Sequence, residues 1–134
     1  MGTALCSSPR MGETAQPPTV LVVDDDASLR LLCRVNLELD GYRVLEAPTV
    51  AEAEEILLAE PVDVVLLDVH VGPESGIELM RALRERGGSP PVVLVTGSAR
   101  LDDETRAEAD GVVGKPFHLD ELRDVVRRLT SLSR

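Results

Sequence analysis

Hydrophobic residues form short uninterrupted runs along this chain, and each run is followed by a stretch of mixed polar and apolar residues. Three of the runs contain only Val and Leu, over residues 20–23, 64–67 and 92–95. A run without polar alternation is typical of a strand that is covered on both faces, as in a parallel sheet. The sequence also predicts a second strand over residues 42–46 and a brief fifth strand over residues 112–113.

The stretches between these strands have the spacing of helices. In the first stretch, four apolar residues recur at helical spacing: Leu29, Leu32, Cys33 and Leu37. Thr49 and Glu52 form a capping-box pattern that predicts the start of the second helix. Further helices are predicted over residues 77–83, 101–109 and 119–129. Gly87 and Gly88 end the first of these three.

Five alternating strand and helix units predict a doubly wound α/β fold. The sheet should be parallel with helices on both faces, because right-handed crossovers place them there. Residues 1–18 lack a periodic apolar pattern and are rich in Ser, Pro and Gly, so we expect a flexible leader. Residues 19–132 are expected to form a single domain.

Composition narrows the possible functions. The chain has 14 Lys and Arg against 24 Asp and Glu, and its net charge of −10 disfavours binding to nucleic acid or to an anionic membrane surface. One Tyr, one Phe and no Trp offer no platform on which bases could stack. No apolar run is long enough to span a membrane, and Cys6 and Cys33 do not suggest a disulfide framework. We therefore expect a soluble protein of the reducing cytoplasm.

Polar residues that could bind a ligand or take part in a reaction lie where the predicted strands end. The first, third and fourth strands end on Asp24-Asp25, Asp68 and Thr96, and the fifth ends beside Lys115, the one lysine of the chain. A surface aspartate at a strand end by chance would explain one of these positions, but not all four. The carboxyl ends of parallel strands meet at one edge of the sheet, where ligands of such folds bind.

Three carboxylates at one edge need a counter-charge. Two of them repel by on the order of 4 kcal/mol at about 4 Å with an effective dielectric constant near 20. A hard divalent cation that takes oxygen ligands is the natural partner of such a cluster, and we expect Mg²⁺. Lys115 could neutralise the remaining charge. A carboxylate nucleophile, a metal, a cation and a hydroxyl group are the parts that phosphoryl transfer requires.

These residues resemble the receiver domain of bacterial two-component response regulators over residues 19–132. The resemblance is carried by Val22-Val23-Asp24-Asp25, Leu66-Leu67-Asp68, Gly76, Thr96 and Lys115-Pro116-Phe117. It implies a flavodoxin-like fold with a five-stranded parallel sheet of order 2-1-3-4-5. It also implies that Asp68 accepts a phosphoryl group from a histidine kinase or phosphotransfer protein, without turnover of another substrate.

The resemblance further implies the roles of the surrounding residues. Asp25, Asp68 and the backbone carbonyl of His70 would bind Mg²⁺, and Asp24 would assist through water. Thr96 and Lys115 would hold the phosphoryl oxygens, and the peptide bond between Lys115 and Pro116 would be cis. The side chain of His70 is interpreted as a solvated loop residue.

Three features depart from the family pattern. Val71-Gly72 replaces the usual Met-Pro, with Pro73 displaced by one position, and Val112 stands where the family has an aromatic residue. The segment 97–114 is also shorter than is typical. We therefore expect the phosphorylation chemistry to be intact and the output surface to differ from that of a typical receiver.

We interpret the chain as a stand-alone receiver that signals by phosphorylation-dependent binding of a further protein. One alternative is a Mg²⁺-dependent phosphatase, although His70 stands where such enzymes have a second catalytic aspartate. The other is a docking module that works without phosphorylation. Turnover of a phosphate ester would indicate the first alternative, and normal partner binding by Asp68→Asn the second.

Overall fold

The computed structural model describes residues 17–97 and 101–132. The strands are β1 Thr19–Val23, β2 Arg43–Ala47, β3 Val64–Asp68, β4 His70–Val71, β5 Glu74–Ser75, β6 Val92–Thr96 and β7 Gly111–Gly114. The helices are α1 Ala27–Leu39, α2 Val50–Ala59, α3 Gly76–Arg86, α4 Asp103–Glu108 and α5 Leu119–Leu132. The predicted leader lies outside the described residues, apart from Pro17 and Pro18.

Five strands form one parallel sheet of order β2-β1-β3-β6-β7 within the described residues. Because β6 and β7 are the fourth and fifth strands of this sheet, the predicted order 2-1-3-4-5 and the α/β fold class are confirmed. Every residue of β1, β3 and β6 is buried. Burial on both faces is the physical reason that these strands contain uninterrupted runs of Val and Leu.

Two apolar cores cover the opposite faces of the sheet. On one face, α2 and α3 pack through Ala53, Leu79, Met80 and Leu83 against strand residues such as Leu67. On the other face, α1 and α5 pack against the alternate strand residues, with contributions from Cys33, Leu37, Leu122, Val126 and Leu129. Burial raises the pKa of the Cys33 thiol to about 11. Because helices cover both faces of the parallel sheet, the fold is doubly wound, as predicted.

Polar side chains cap the N-termini of α1 and α2. Asp26 caps α1 by accepting hydrogen bonds from the N–H groups of Ser28 and Leu29. Thr49 caps α2 by accepting from the N–H of Glu52 at 3.1 Å, as the sequence pattern predicted. At its carboxyl end, α3 stops at Gly87, which has a φ of 77°.

The predicted extent of the fourth helix needs correction. The fourth helix spans only Asp103–Glu108, which is shorter than the predicted 101–109, because Asp102 caps its start and Ala109 returns to extended backbone. Leu32, which shares the helical spacing of the buried Cys33, is 44% exposed.

Among the described residues, no helix combines the length and the apolar character that crossing a bilayer would require.

Candidate functional site

The strand register places the predicted site residues along one edge of the sheet. Val23 of β1 pairs with Leu67 of β3, so the next residues, Asp24 and Asp68, are neighbours. Thr96, at the end of β6, pairs with Gly114 of β7. The backbone N–H of Lys115 then donates to the carbonyl of Thr96 at 2.7 Å.

Three carboxylates meet at this edge. Oxygen atoms of Asp24, Asp25 and Asp68 lie within 4.8 Å of one another. Asp24 and Asp68 are buried, whereas Asp25 is exposed. Carboxylate oxygens that converge at the mouth of a site fit a hard divalent cation such as Mg²⁺, which keeps part of its water shell and needs few protein ligands.

Asp24 is held through both its backbone and its side chain. Its N–H donates to the carbonyl of Ala47 at 3.1 Å, and its Oδ1 accepts from the N–H of Asp26 at 2.9 Å. Burial raises the pKa of Asp24, and the hydrogen bond from Asp26 offsets only part of this effect. The neighbouring charge of Asp68 raises the pKa further, since both carboxylates carry negative charge.

Lys115 bridges the two buried carboxylates. Its Nζ lies 3.2 Å from Oδ2 of Asp24 and 3.2 Å from Oδ2 of Asp68. Burial by itself lowers the pKa of Lys115, but the hydrogen bonds and charges of Asp24 and Asp68 outweigh burial, and the net shift is upward. Lys115 therefore remains charged at neutral pH. The Lys115–Pro116 peptide bond is cis, as the family resemblance implied.

A short hairpin follows Asp68, and the sequence did not predict it. β4 and β5 pair in antiparallel fashion across a two-residue loop, in which Gly72 has a φ of 60°. Glycine at the first position of such a loop suits the tight turns that join hairpin strands. The hairpin places the N–H of His70 3.2 Å from Oδ1 of Asp68, while the His70 residue is exposed.

Arg30 of α1 also contacts the site, and sequence reasoning missed it. Its Nη1 donates to the backbone carbonyl of Asp24 at 2.7 Å. An arginine on the first turns of an amphipathic helix is ordinarily a solvated residue, so no sequence signal distinguished it. In this fold its side chain is only 15% exposed.

The sheet with its acidic edge and bridging lysine agrees with the comparisons to known proteins. The family model of the response regulator receiver domain matches residues 20–127. The chain therefore belongs to the response regulator receiver family.

Relatives and solved structures agree with this assignment. The transcriptional regulatory protein KdpE of Mycobacterium tuberculosis is 39% identical over 121 residues, which cover 84% of this chain and 52% of KdpE. The chain spans about half the length of the first curated relatives that it matches.

Two solved structures of one relative, the response regulator TrrA, have the same fold. TrrA of Thermotoga maritima in complex with Mg²⁺-BeF has a TM-score of 0.77 at 30% identity, with coverage of 84% of this chain and 98% of that chain. TrrA in complex with the histidine kinase ThkA has a TM-score of 0.76 at 31% identity, with coverage of 84% and 97%.

Proposed function

We propose that residues 19–132 form a receiver domain in which Asp68 accepts a phosphoryl group from a histidine kinase or phosphotransfer protein in the cytoplasm. The phosphorylated form would then bind a downstream protein. The observation that carries this proposal is the position of Asp68, whose carboxylate contacts Lys115 and lies among two further carboxylates at the sheet edge. The solved complexes of TrrA with a histidine kinase and with Mg²⁺-BeF support the same partner and metal.

The acidic cluster provides a site for Mg²⁺. Asp25, Asp68 and the backbone carbonyl of His70 would hold the ion, with Asp24 acting through water. When bound, Mg²⁺ offsets the negative charge of the phosphoryl oxygens beside the carboxylates. The exposure of Asp25 leaves this side of the cluster accessible to solvent and to the phosphodonor.

Asp68 is oriented as a nucleophile before the donor arrives. One carboxylate oxygen accepts from the N–H of His70, and the other accepts from Lys115. In the transfer, a carboxylate oxygen forms the new bond to phosphorus while the bond from phosphorus to the donor's histidine nitrogen breaks. The leaving imidazole retains the electron pair of that bond.

The remaining residues bind the transferred group. Lys115 keeps its positive charge, so it can exchange its contact with Asp68 for a contact with a phosphoryl oxygen. Thr96, one strand away, supplies a hydroxyl group for a second oxygen. Water then hydrolyses the acyl phosphate and regenerates the Asp68 carboxylate, so the chain catalyses only its own phosphorylation and dephosphorylation.

Intact-mass measurement with acetyl phosphate tests the proposal. A mass gain of one phosphoryl group is expected with Mg²⁺, and Asp68→Asn should remove it. Asp124→Asn, which changes an exposed carboxylate on α5, is the matched control and should label like the parent. Equal labelling in excess chelator, or labelling that survives Asp68→Asn, would contradict the assignment.

The same samples address the two alternative functions. A phosphatase would turn over a phosphate ester such as p-nitrophenyl phosphate, whereas the proposed receiver should not. A docking module would bind its partner equally well as the parent and as Asp68→Asn. The proposed receiver should bind its downstream protein more tightly after phosphorylation.

A further inference from the structure

Arg30 joins the acidic edge to the neighbouring strand β2. Its Nη1 donates to the carbonyl of Asp24 at 2.7 Å, and its Nε donates to Oε1 of Glu46 at 3.1 Å. The two contacts use different nitrogen atoms of one planar guanidinium group. Such a fork cannot be reproduced by the single ammonium group of lysine.

Glu46 holds Arg30 in this position. The second carboxylate oxygen of Glu46 accepts from Nη1 of Arg34 at 2.7 Å. Glu46 therefore lies between two arginines of α1. Among the contacts of the described residues, only Arg30 of this pair also donates to the backbone of Asp24. Arg30 is 15% exposed, and Arg34 is 42% exposed. This difference makes Arg34 a natural control for Arg30.

The carbonyl that Arg30 binds belongs to the peptide group between Asp24 and Asp25. The orientation of this peptide group determines the direction in which the Asp25 side chain leaves the backbone. On the other side of Asp24, its N–H is bound to the carbonyl of Ala47 in β2. Asp24 is thus attached to β2 through both neighbouring peptide groups, directly through Ala47 and indirectly through Arg30 and Glu46.

A hydrogen bond from a charged donor is stronger than one between neutral groups, so Arg30 resists rotation of this peptide group. Without Arg30, Lys115 and the N–H of Asp26 would still hold the buried Asp24 carboxylate. The exposed Asp25 would lose the restraint on its backbone. The expected defect is therefore in the arrangement of Asp25 relative to Asp68.

We infer that Arg30 is a positioning residue that orients the Asp24–Asp25 peptide group for Mg²⁺ binding, and that Glu46 orients Arg30. This role depends on the function proposed above, because it assigns Asp25 and Asp68 to the metal. It does not require Arg30 to touch the metal or the phosphoryl group.

Isothermal titration calorimetry with Mg²⁺ alone tests this role without phosphorylation. Arg30→Met and Arg34→Met both remove a guanidinium group from Glu46 and keep an apolar side chain. Outer-shell partners of metal ligands typically contribute about 10–100-fold to affinity. We expect Arg30→Met to raise the Mg²⁺ dissociation constant about 10-fold, and Arg34→Met to leave it within about twofold.

Arg30→Lys provides a second variant that keeps the positive charge. Lysine has one donor nitrogen in place of the two that Arg30 uses, so a weakening of Mg²⁺ binding smaller than that of Arg30→Met is expected. Equal Mg²⁺ affinity in the parent, Arg30→Met and Arg30→Lys would overturn the role of Arg30. An equal loss in Arg30→Met and Arg34→Met would also overturn it, because the effect would then come from Glu46 alone.

Labelling with acetyl phosphate separates the two proposals. If the parent is labelled on Asp68 and the Arg30 variants bind Mg²⁺ like the parent, only the role of Arg30 fails. If the parent binds Mg²⁺ and is not labelled, the proposed function fails, while the calorimetric comparison still decides the role of Arg30. If both hold, Arg30→Met should need a higher Mg²⁺ concentration for half-maximal labelling rate.

Discussion

Gly76 lies directly against the backbone carbonyl of Asp68. A Cβ placed on Gly76 would overlap the Asp68 carbonyl oxygen and would lie 3.1 Å from Cγ of Leu67. Gly76 is also the first residue of α3, and its N–H donates to the carbonyl of Val69 at 2.8 Å. The start of α3 can therefore approach the end of β3 only because residue 76 has no side chain.

Gly76→Ala should destabilise the fold and displace the end of β3 that carries Asp68. The new methyl group meets backbone rather than a flexible side chain, so overpacking should cost roughly 1–3 kcal/mol. Urea unfolding measures this loss. Gly97→Ala is the control, because a Cβ at Gly97 meets no atom within 4 Å. Similar stability of the two variants would contradict the close approach of Gly76.

Mg²⁺ should stabilise the folded protein in the absence of phosphate. Binding to the native acidic cluster at ten times the dissociation constant adds about 1.4 kcal/mol. A rise of about 5 °C in the midpoint of thermal unfolding corresponds to this energy for a domain of this size. Asp25→Ala should remove most of the rise, since Asp25 is the exposed carboxylate of the cluster.

Asp25→Ala should be more stable than the parent in excess chelator, because removal of one of three neighbouring carboxylates relieves their mutual repulsion. Glu55→Ala in α2 removes an exposed negative charge away from the cluster and serves as the control. It should respond to Mg²⁺ like the parent. A full Mg²⁺ response by Asp25→Ala would show that the ion binds elsewhere.

The ion pair between Asp40 and Arg123 should make stability depend on pH. Asp40 at the end of α1 accepts from Nε of Arg123 at 2.6 Å and from Nη2 at 2.7 Å. The hydrogen bond from Arg123 lowers the pKa of Asp40 below 3.8, the ordinary value that the unfolded chain should have. The pair therefore stabilises the fold above pH 3.8, and this contribution is lost as the pH falls through the folded pKa.

Arg123→Gln should lower the thermal midpoint at pH 7, and the deficit should shrink once Asp40 is protonated in both proteins. Thermal unfolding at pH 7 and at a pH well below 3.8 gives the comparison. Arg127→Gln removes the same charge from α5, and its partner Asp124 has a side chain that is 69% exposed. This control should change little at either pH. A deficit of Arg123→Gln that stays constant with pH would exclude the assigned ion pair as its cause.

The short helix α4 is attached to α3 by two arginines. Nη2 of Arg81 lies 2.9 Å from Oε1 of Glu108, and Nη2 of Arg84 donates to the backbone carbonyl of Glu108 at 3.0 Å. Arg81 also donates to Thr105, which is buried. These contacts hold a helix of six residues in place and leave a small face for a partner.

We therefore expect that beryllofluoride, as a phosphoryl mimic, does not drive dimerisation through the face made by α4, β7 and α5. Val112 of β7 stands where the family has an aromatic residue, and its small side chain offers this face little surface to rearrange. Light scattering should report a monomer, and changes in hydrogen exchange should concentrate in residues 69–75 and near Gly97.

Asp68→Asn with beryllofluoride is the control for this experiment and should show no change in exchange. A stable dimer of the parent, with strong protection across α4 and α5, would show the expectation to be wrong. In that case Arg81→Ala should alter the dimer, because Arg81 is part of the attachment of α4.

The fold class and the sheet edge on which the site lies could be predicted from the pattern of residues along the chain. Strands buried on both faces are rich in consecutive apolar residues, so β1, β3 and β6 are visible as local runs of Val and Leu. Because all strands of the sheet are parallel, the residues after these runs must meet at one edge. Asp24, Asp68 and Lys115 could therefore be grouped although they are far apart in the chain.

Contacts that depend on strand register and on distant partners could not be predicted from local sequence and follow from the folded chain. The bridge from Lys115 to Asp24 joins residues 91 positions apart, and its distance follows from the pairing of four strands. Arg30 reaches Asp24 because Glu46 of β2 lies beside it, and the local sequence of α1 contains no sign of this neighbour. The exposure of Leu32 likewise depends on which side of α1 faces the sheet. Helical spacing alone groups Leu32 with Cys33, and packing separates them.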